Sequence, residues 1–219
     1  MKALVVGATG QTGRRIVEQL IERGIPVRAM VRDVEKTKGL WPTTVEVVTG
    51  DVLEPNTIRT ALVGCTVLLC ATGAQPSLDV TGPYKVDYEG TKTRVDVAKE
   101  AGVEHFVIVS SLCVSKFFHP LNIFWLVLYW KKQAEDYIQR SGLTYTIVRP
   151  GGLRSEDSSD PIVMAPADTL FEGSIPRAKV AQVCVEALNQ PEARNKIVEI
   201  VTRENAKAQE MQALFASVS

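Results

Sequence analysis

The sequence predicts an α/β fold, a doubly wound parallel sheet followed by a small C-terminal strand and helix extension. Short apolar runs alternate with helical patterns, which is typical of strands joined by crossover helices. The runs are continuously apolar, as in strands buried on both faces. Five of them end in small or polar residues, where ligand-facing turns of such sheets lie; these follow Val6, Val31, Val48, Cys70 and Val148. The fold is therefore Rossmann-like, with residues 1–219 as one domain and 151–219 as its smaller portion.

The elements follow from periodicity and from stop signals. Apolar residues at helical spacing after residue 12 predict a helix over 12–23, which Gly24 ends. Gly102 and Gly142 likewise end helices predicted over 84–101 and 121–141. Strands are predicted at 2–6, 26–31, 45–48, 67–70, 106–109, 145–148, near 162 and at 197–201, and further helices at 56–62, 177–188 and 206–216.

Composition limits the function. The 219 residues have no net formal charge and are 45% apolar, which suits one substantial core and gives no electrostatic argument for nucleic-acid binding. The four cysteines show no metal-ligand spacing, so no metal site is predicted. The chain begins directly with a strand pattern and shows no targeting segment, so we expect a reducing, cytoplasmic location.

A glycine-rich turn is the strongest functional signal. It separates the first strand from the first helix and reads Gly7-Ala8-Thr9-Gly10-Gln11-Thr12-Gly13. Glycines allow a tight turn and a close approach to backbone amides, and the start of a helix offers unpaired N–H groups to an anion. A tight turn without a ligand is the alternative. The position between strand and helix favours a dinucleotide, held by Gly7, Thr9, Gly10, Gln11, Thr12 and Gly13.

The end of the second strand indicates which dinucleotide is bound. Arg32 stands at the tip, where a cofactor without a 2′-phosphate usually meets a carboxylate. A guanidinium suits a phosphate, and Arg14 and Arg15 are within reach in the next helix. NADP(H) is therefore favoured over NAD(H). Solvated charges are the alternative, and Asp33 keeps NAD(H) open.

Two further strand ends complete the predicted cofactor site. Asp51 and Val52 follow the third strand, beside the place where an adenine ring lies in such folds. An aspartate there also commonly caps the next turn. Small residues follow the fourth strand, where a backbone passes close to a ligand: Ala71, Thr72 and Gly73.

The segment 121–130 is the most hydrophobic part of the chain. Its unbroken apolar run, 123–130, is too short to cross a membrane, for which about 18 residues are needed. A helix that is apolar all round must bury more than one face. A protein partner or self-association, a substrate-pocket wall and peripheral membrane contact remain open.

Six motifs together resemble a known family. They are GATGQTG, VRD, GDV, VSS, WKKQAED and YTIVRPGGL, spread over residues 1–201. The chain is similar to atypical short-chain dehydrogenases/reductases, and most of all to the NmrA-like branch with the NAD(P)-binding proteins of cyanobacteria and plastids. The resemblance implies a Rossmann-like fold and an NAD(P) cofactor.

The resemblance also implies site residues and one departure. Members use a Tyr-x-x-x-Lys pair, and Glu135 assigns the lysine, a catalytic and ribose-binding group, to Lys131. The tyrosine position is then Val127, while Tyr129 lies about 200° away around the helix. The position of the family serine is Leu112, with Ser110 just before it among the expected cofactor contacts. Pro150, Gly151 and Gly152 resemble the loop beside the nicotinamide.

Two functions follow. The first is an NADP(H)-dependent reductase of a quinone-like or conjugated acceptor, with a non-standard proton donor or none. The alternative is a non-catalytic NADP(H)-dependent redox sensor, regulator or assembly factor that acts through a protein partner.

Overall fold

A computed structural model describes residues 1–73, 79–120, 122 and 126–218. The strands are β1 (Ala3–Val6), β2 (Val27–Val31), β3 (Glu46–Thr49), β4 (Val67–Cys70), β5 (His105–Val109), β6 (Tyr145–Pro150), β7 (Gly152–Arg154), β8 (Ile162–Pro166), β9 (Ser174–Pro176) and β10 (Lys196–Thr202). The α-helices are α1 (Gln11–Glu22), α2 (Pro55–Leu62), α3 (Gly90–Glu100), α4 (Val127–Arg140), α5 (Arg177–Glu186) and α6 (Met211–Ser217).

Eight strands form the central sheet in the order β3-β2-β1-β4-β5-β6-β10-β8. Every neighbouring pair is parallel except β10 with β8, which is antiparallel. Val6 at the end of β1 is level with Met30 in β2 and with Cys70 in β4. The predicted doubly wound fold is confirmed, and the ends of β1, β2 and β4 meet at one edge of the sheet.

Helices cover both faces of the sheet, which explains its continuously apolar strands. In β1, Ala3 and Val5 join the core beneath α1 and α5, whereas Leu4 and Val6 join the core beneath α2, α3 and α4. Alternate side chains of a strand point to opposite faces, so both sets must be apolar to be buried. All four cysteines are free and buried.

The structure corrects two helix predictions. The helix predicted from residue 84 begins with a π-helical segment, Pro83–Glu89, before α3. The helix predicted over 121–141 is interrupted at Leu126, whose left-handed φ of +51° breaks a helix, so α4 begins at Val127, while Asn122 before it is also helical. The remaining part of that prediction, residues 121 and 123–125, lies outside the described residues.

The small second sheet was not predicted. β7 and β9 pair in parallel, with Leu153 opposite Ile175. Each strand has only three residues, too few for an apolar pattern to show. Among the described helices, none has the length and apolar character required to cross a membrane.

Candidate functional site

The glycine turn packs closely against the end of β4. Gly7 follows β1 directly and has a φ of +82°, a left-handed conformation that residues with a Cβ rarely adopt. A Cβ at Gly7 would lie 2.8 Å from the carbonyl oxygen of Ala71. A Cβ at Gly13 would lie only 2.1 Å from the carbonyl oxygen of Gly7. These two glycines are therefore required by the packing of α1 and β4 around the turn.

Gly10 differs, because an added Cβ there would be tight against one backbone oxygen but would not overlap the protein as at Gly7 and Gly13. Its φ of −71° suits any residue, and an added Cβ would meet only the Gly7 oxygen at 3.2 Å and the Ala71 oxygen at 4.0 Å. The space beside Gly10 opens to the surface, where Thr9 and Gln11 are also exposed. A dinucleotide phosphate fits this cradle, and a larger side chain would fill it.

The start of α1 supplies donors to the same space. The first hydrogen bond of the helix runs from Arg14 N–H to the Gly10 carbonyl, 2.9 Å. The N–H groups of Gln11, Thr12 and Gly13 precede it and have no acceptor within the helix. No side chain caps this helix. The residues present therefore fit an anionic group at the positive end of the helix dipole.

Arg32 lies exposed just beyond β2 and makes no hydrogen bond or ion pair with any described residue. Its neighbour Asp33 accepts the N–H of Glu35 at 3.0 Å and lies 3.7 Å from Lys36 Nζ, so its carboxylate caps a short 3-10 helix. Arg32 is thus available to a 2′-phosphate, whereas Asp33 is already engaged. Arg15 donates to the carbonyl oxygens of Gln11 and Ser155, so it turns away from the phosphate predicted for it.

Asp51 caps a turn. Its carboxylate accepts the Leu53 N–H at 2.9 Å. This is the turn-capping role that the sequence offered as the alternative to cofactor binding. Val52 packs against α3, since a Cβ at Gly90 would approach its side chain to 3.3 Å. Both residues lie past β3, at the edge of the sheet that carries the glycine turn.

Beyond β4, Ala71 and Thr72 pack around Gly7, while Gly73 is exposed. The Thr72 hydroxyl accepts from Arg94, whose other terminal nitrogen donates to Thr91 at 2.6 Å. Arg94 is fully buried, and its Nε has no partner among the described residues. This guanidinium fixes the position of Thr72 at the sheet edge.

Lys131 lies at the same edge. Its Nζ is 2.8 Å from the Asp87 carboxylate, and the ion pair is nearly enclosed, with side-chain exposures of 16% and 2%. A Cβ on Gly73 would lie 3.8 Å from Lys131 Nζ, so the lysine reaches the end of β4. The structure therefore brings Lys131 to the predicted cofactor edge with a carboxylate partner that the sequence did not reveal.

Tyr129 belongs to a continuous strip of aromatic rings. Its ring lies 6.0 Å from that of Phe117 and 5.0 Å from that of Trp130. Trp130 also lies 4.9 Å from Tyr84. These rings, together with Tyr88 and Phe118, are here called the aromatic strip. The phenol of Tyr129 thus packs with this strip and does not replace the family tyrosine at Val127.

A buried ionic cluster lies behind Ser110. The Ser110 hydroxyl is 2.5 Å from Glu135 Oε1, and Glu135 pairs with Arg149 at 2.7 Å. Arg149 also pairs with Glu199 at 3.1 Å and with Asp168 at 2.8 Å. Burial raises the pKa of Glu135, against the lowering effects of the Arg149 guanidinium and the Ser110 hydroxyl. Ser110 thus joins the sheet edge to a buried carboxyl group whose pKa is raised by burial.

The loop after β6 has a structural reason for its glycines. A Cβ at Gly151 would lie 2.6 Å from the Gly173 carbonyl oxygen, and the Gly152 N–H donates to that oxygen at 2.9 Å. The Pro150 carbonyl accepts the Leu112 N–H at 3.0 Å. The predicted residues therefore lie beside the segment that follows Ser110, but Gly151 is required by packing rather than by a ligand.

Sequence reasoning missed four polar residues of this region: Asp87, Arg94, Arg149 and Glu199. A signal existed for two of them. Arg149 and Glu199 each interrupt an otherwise apolar strand, and a charge in a buried strand requires a partner. Asp87 and Arg94 lie in polar helical sequence and gave no such signal.

Comparison with known proteins decides the family. The profile of a family described as NAD(P)H-binding matches residues 7–191. The chain belongs to this NAD(P)H-binding family. The resemblance to atypical, NmrA-like short-chain dehydrogenases/reductases is confirmed, and so is the prediction of a nicotinamide dinucleotide cofactor.

Plant proteins are prominent among the relatives of this family member. It is 47% identical to an uncharacterised chloroplastic protein of Arabidopsis thaliana, over 99% of the chain and 82% of the relative. It is 37% identical to protein TIC 62, chloroplastic, of Pisum sativum, over 92% of the chain but only 43% of that protein. It is 30% identical to sanguinarine reductase of Eschscholzia californica, over 100% of the chain and 96% of the reductase.

Solved structures agree on the fold. A candidate NAD-dependent epimerase/dehydratase from Bacillus halodurans superposes with a TM-score of 0.87 and 27% identity, covering 99% of both chains. A short-chain dehydrogenase/reductase of Veillonella parvula in complex with NADP superposes with a TM-score of 0.76 and 16% identity, covering 95% of this chain and 98% of that one. At that identity the second likeness shows the fold alone.

Proposed function

We propose that this NAD(P)H-binding protein is an NADP(H)-dependent oxidoreductase that reduces a planar, conjugated, quinone-like acceptor. The observation that carries the proposal is the aromatic strip, whose Tyr88 and Trp130 are the chain neighbours of Asp87 and Lys131. Flat π-systems stack favourably on aromatic rings. An acceptor that lies on the strip would have one edge at Lys131, where the reactive end of the cofactor is expected.

The residues at the edge of the sheet where the cofactor is expected support the same reductase function. The start of α1 would hold the pyrophosphate, Arg32 the 2′-phosphate and Lys131 the nicotinamide ribose. NADPH, when bound, supplies a hydride. The residues of the chain then have to bind the acceptor, exclude water and deliver a proton, and the usual tyrosine is absent at Val127.

One relative favours reduction in particular. Sanguinarine reductase is named for a reductase activity, and the chain matches nearly all of its length. That activity belongs to the relative, and for this chain we propose the reaction type and the quinone-like class of acceptor. The predicted cytoplasmic location stays a prediction, since the chloroplastic names belong to the relatives.

The test is oxidation of NADPH with a panel of quinones and aldehydes. We expect turnover with at least one quinone, and a KM for that acceptor that rises at least tenfold in Tyr88→Leu. Tyr137→Leu is the matched control, because Lys92 Nζ lies over both rings at 5.2 and 5.7 Å but only Tyr88 belongs to the aromatic strip. Absence of turnover with every acceptor, or equal effects of the two variants, would contradict the proposal.

A specific observation favours the alternative, a redox sensor or assembly factor. Phe117 and Phe118 are exposed by 53% and 97% at the free end of the aromatic strip. Exposed aromatic pairs are typical of contact surfaces. The relative named TIC 62 is more than twice as long as the matched region, so its partners say nothing direct about this chain. Tight NADPH binding without any turnover would support this function, with a protein partner, a second copy or a membrane surface at residues 117–130.

A further inference from the structure

The space between α4 and the end of β5 holds two polar pairs. Ser110 and Glu135 form one, and Lys131 and Asp87 form the other. All four side chains line one small cavity under the sheet edge, together with Thr72. Ser110 is half-buried and immediately follows β5, with its N–H still bound to the Val148 carbonyl at 2.7 Å. Its hydroxyl is therefore bonded to the buried carboxyl group and lines the same cavity as Lys131.

The two oxygens of Glu135 have different partners. Oε2 accepts from a terminal nitrogen of Arg149 at 2.7 Å, and both oxygens are 3.2 Å from Arg149 Nε. Oε1 alone faces the Ser110 hydroxyl. When Glu135 is protonated, the proton belongs on Oε1, because there the hydrogen bond with Ser110 only reverses its direction and the two Arg149 bonds to Oε2 are kept.

Charge balance favours such a proton. Arg149 is one guanidinium among three carboxylates, and both Glu135 and Glu199 are fully buried. The carboxylate oxygens of Glu199 accept the backbone N–H groups of Asp168, Thr169 and Leu170, at 2.9, 3.0 and 2.6 Å. Two buried negative charges on one positive charge are costly, and protonation of Glu135 removes the excess.

We propose that Glu135 and Ser110 form the proton relay of this protein in place of the missing tyrosine. Ser110 Oγ is the catalytic group that gives its proton to the acceptor, and Glu135 is a positioning residue that returns a proton to Ser110. The inference rests on the proposed reductase function. It assigns a proton donor to a site that has lost the usual one.

The proposed reaction transfers one hydride and one proton to the acceptor. The acceptor gains a hydride, which oxidation of NADPH supplies, and a proton from Ser110 Oγ, whose O–H bond breaks. The O–H bond at Glu135 Oε1 breaks at the same time and a new O–H bond forms at Ser110. Glu135 is left ionised beside Arg149 and regains its proton from solvent after the product has left. The acceptor is reduced by two electrons and the chain is unchanged.

Several charged groups face Glu135 and set its titration. Arg149 from β6 and Lys132 from α4 itself favour the ionised form, and the Ser110 hydroxyl from β5 does the same. Glu199 and Asp168 oppose it by sharing the charge of Arg149. Because the relay needs the protonated form, the rate must fall as the pH rises through the pKa of Glu135.

The first test is independent of turnover. Infrared difference spectra of the full chain are recorded at pH 7 for the wild type and for Glu135→Gln. We expect a protonated-carboxyl band in the wild type that is absent in the variant. A wild-type spectrum without that band, with the ionic cluster intact, would overturn the role of Glu135.

The second test uses kcat with the acceptor identified in the NADPH oxidation assay. Ser110→Ala is expected to lower kcat by about a hundredfold, the usual contribution of a general acid. Ser110→Thr keeps the hydroxyl and restores most of the rate, and the neighbouring Ser111→Ala changes it less than twofold. In Glu135→Gln the fall in kcat at high pH disappears, and kcat is low throughout.

Different results would contradict the proton relay and the reductase function. Turnover that survives Ser110→Ala, or a pH profile that is the same in Glu135→Gln, overturns the relay and leaves the reductase function standing. If no acceptor is turned over, the reductase function fails. The infrared band still decides whether Glu135 stores a proton.

Discussion

A Cβ on Gly13 would lie 2.1 Å from the carbonyl oxygen of Gly7, so α1 can pack against β1 only with glycine at that position. Gly10, three residues earlier, has no comparable contact and a φ of −71°. The two glycines of one turn therefore serve different purposes. Gly13 allows the fold, and Gly10 keeps open the space for a ligand.

Gly13→Ala is expected to lower the melting temperature by roughly 3–10 °C, since overpacking costs about 1–3 kcal/mol in a chain of this size. Gly10→Ala is expected to leave the melting temperature unchanged or slightly raised, because its backbone already suits alanine. Differential scanning fluorimetry of the two variants without ligand measures this. Equal melting temperatures for both would contradict the packing of the turn.

Gly10→Val is expected to remove NADPH binding while the melting temperature of the free protein stays close to that of the wild type. The branched side chain would fill the space beside the free N–H groups of Gln11, Thr12 and Gly13. Isothermal titration calorimetry measures the affinity, with Gly10→Ala as a smaller step in the same direction. Unchanged NADPH affinity in Gly10→Val would place the pyrophosphate elsewhere.

Arg32→Ala is expected to weaken NADPH binding roughly tenfold to a hundredfold and to leave NADH binding almost unchanged. The reason is loss of a charge-assisted contact with the 2′-phosphate, worth about 1.5–3 kcal/mol. Arg59→Ala, which removes another exposed arginine, one paired with Glu100, is the control for net charge. Equal losses for the two cofactors would show that Arg32 does not read the phosphate.

Lys131→Met is expected to weaken NADPH and NADH binding alike, because the ribose next to the nicotinamide is common to both. Lys132→Met is the matched control: its ammonium pairs with Asp136 on the same helix and does not line the cavity. Some loss of stability is expected in Lys131→Met, since the substitution removes the nearly enclosed ion pair with Asp87. Titrations well below the melting temperature separate the two effects. Identical affinities in both variants would exclude Lys131 from the site.

His105 gives a pH dependence of stability that does not involve the site. It is buried in β5 with its Nε2 2.9 Å from the Thr146 hydroxyl, and burial lowers its pKa from 6.5 to about 4. The folded state therefore binds its proton less readily than the unfolded state, so this stability is present above pH 6.5 and is lost as the pH falls towards 4. At pH 5 the loss is about 2 kcal/mol.

The measurement is urea unfolding at pH 7 and pH 5 for the wild type and for His105→Gln. The wild type is expected to lose more stability than the variant between the two pH values, because glutamine does not titrate. The same pH dependence in both proteins would mean that His105 is not the titrating group.

Sequence alone predicted most of the central sheet, because its strands are buried on both faces and read as continuous apolar runs. β4 was predicted over the residues it occupies, 67–70. The left-handed Leu126 and the three-residue strands β7 and β9 left no pattern to read, since they depend on tertiary contacts. The C-terminal ends of helices could be predicted from the sequence where a glycine ended the helix.

The candidate site, too, could be predicted from the sequence only in part. The turn from Gly7 to Gly13 has a local reason for each glycine, so spacing was enough to find it. In the sequence, Glu135 only identified Lys131 as the family lysine. In the structure it bonds to both Ser110 and Arg149. Its partners come from strands far apart in the chain, and no local pattern reports such contacts. Asp87 was missed for the same reason.

Titration of the purified protein with NADPH, with its melting temperature as the readout, tests the central claim most directly. A ligand at a hundred times its dissociation constant adds about 2.7 kcal/mol of stability. For a chain of this length we expect a rise of roughly 5–10 °C, larger with NADPH than with NADH at the same concentration. An unchanged melting temperature at millimolar concentrations of both cofactors would contradict the dinucleotide site at the start of α1.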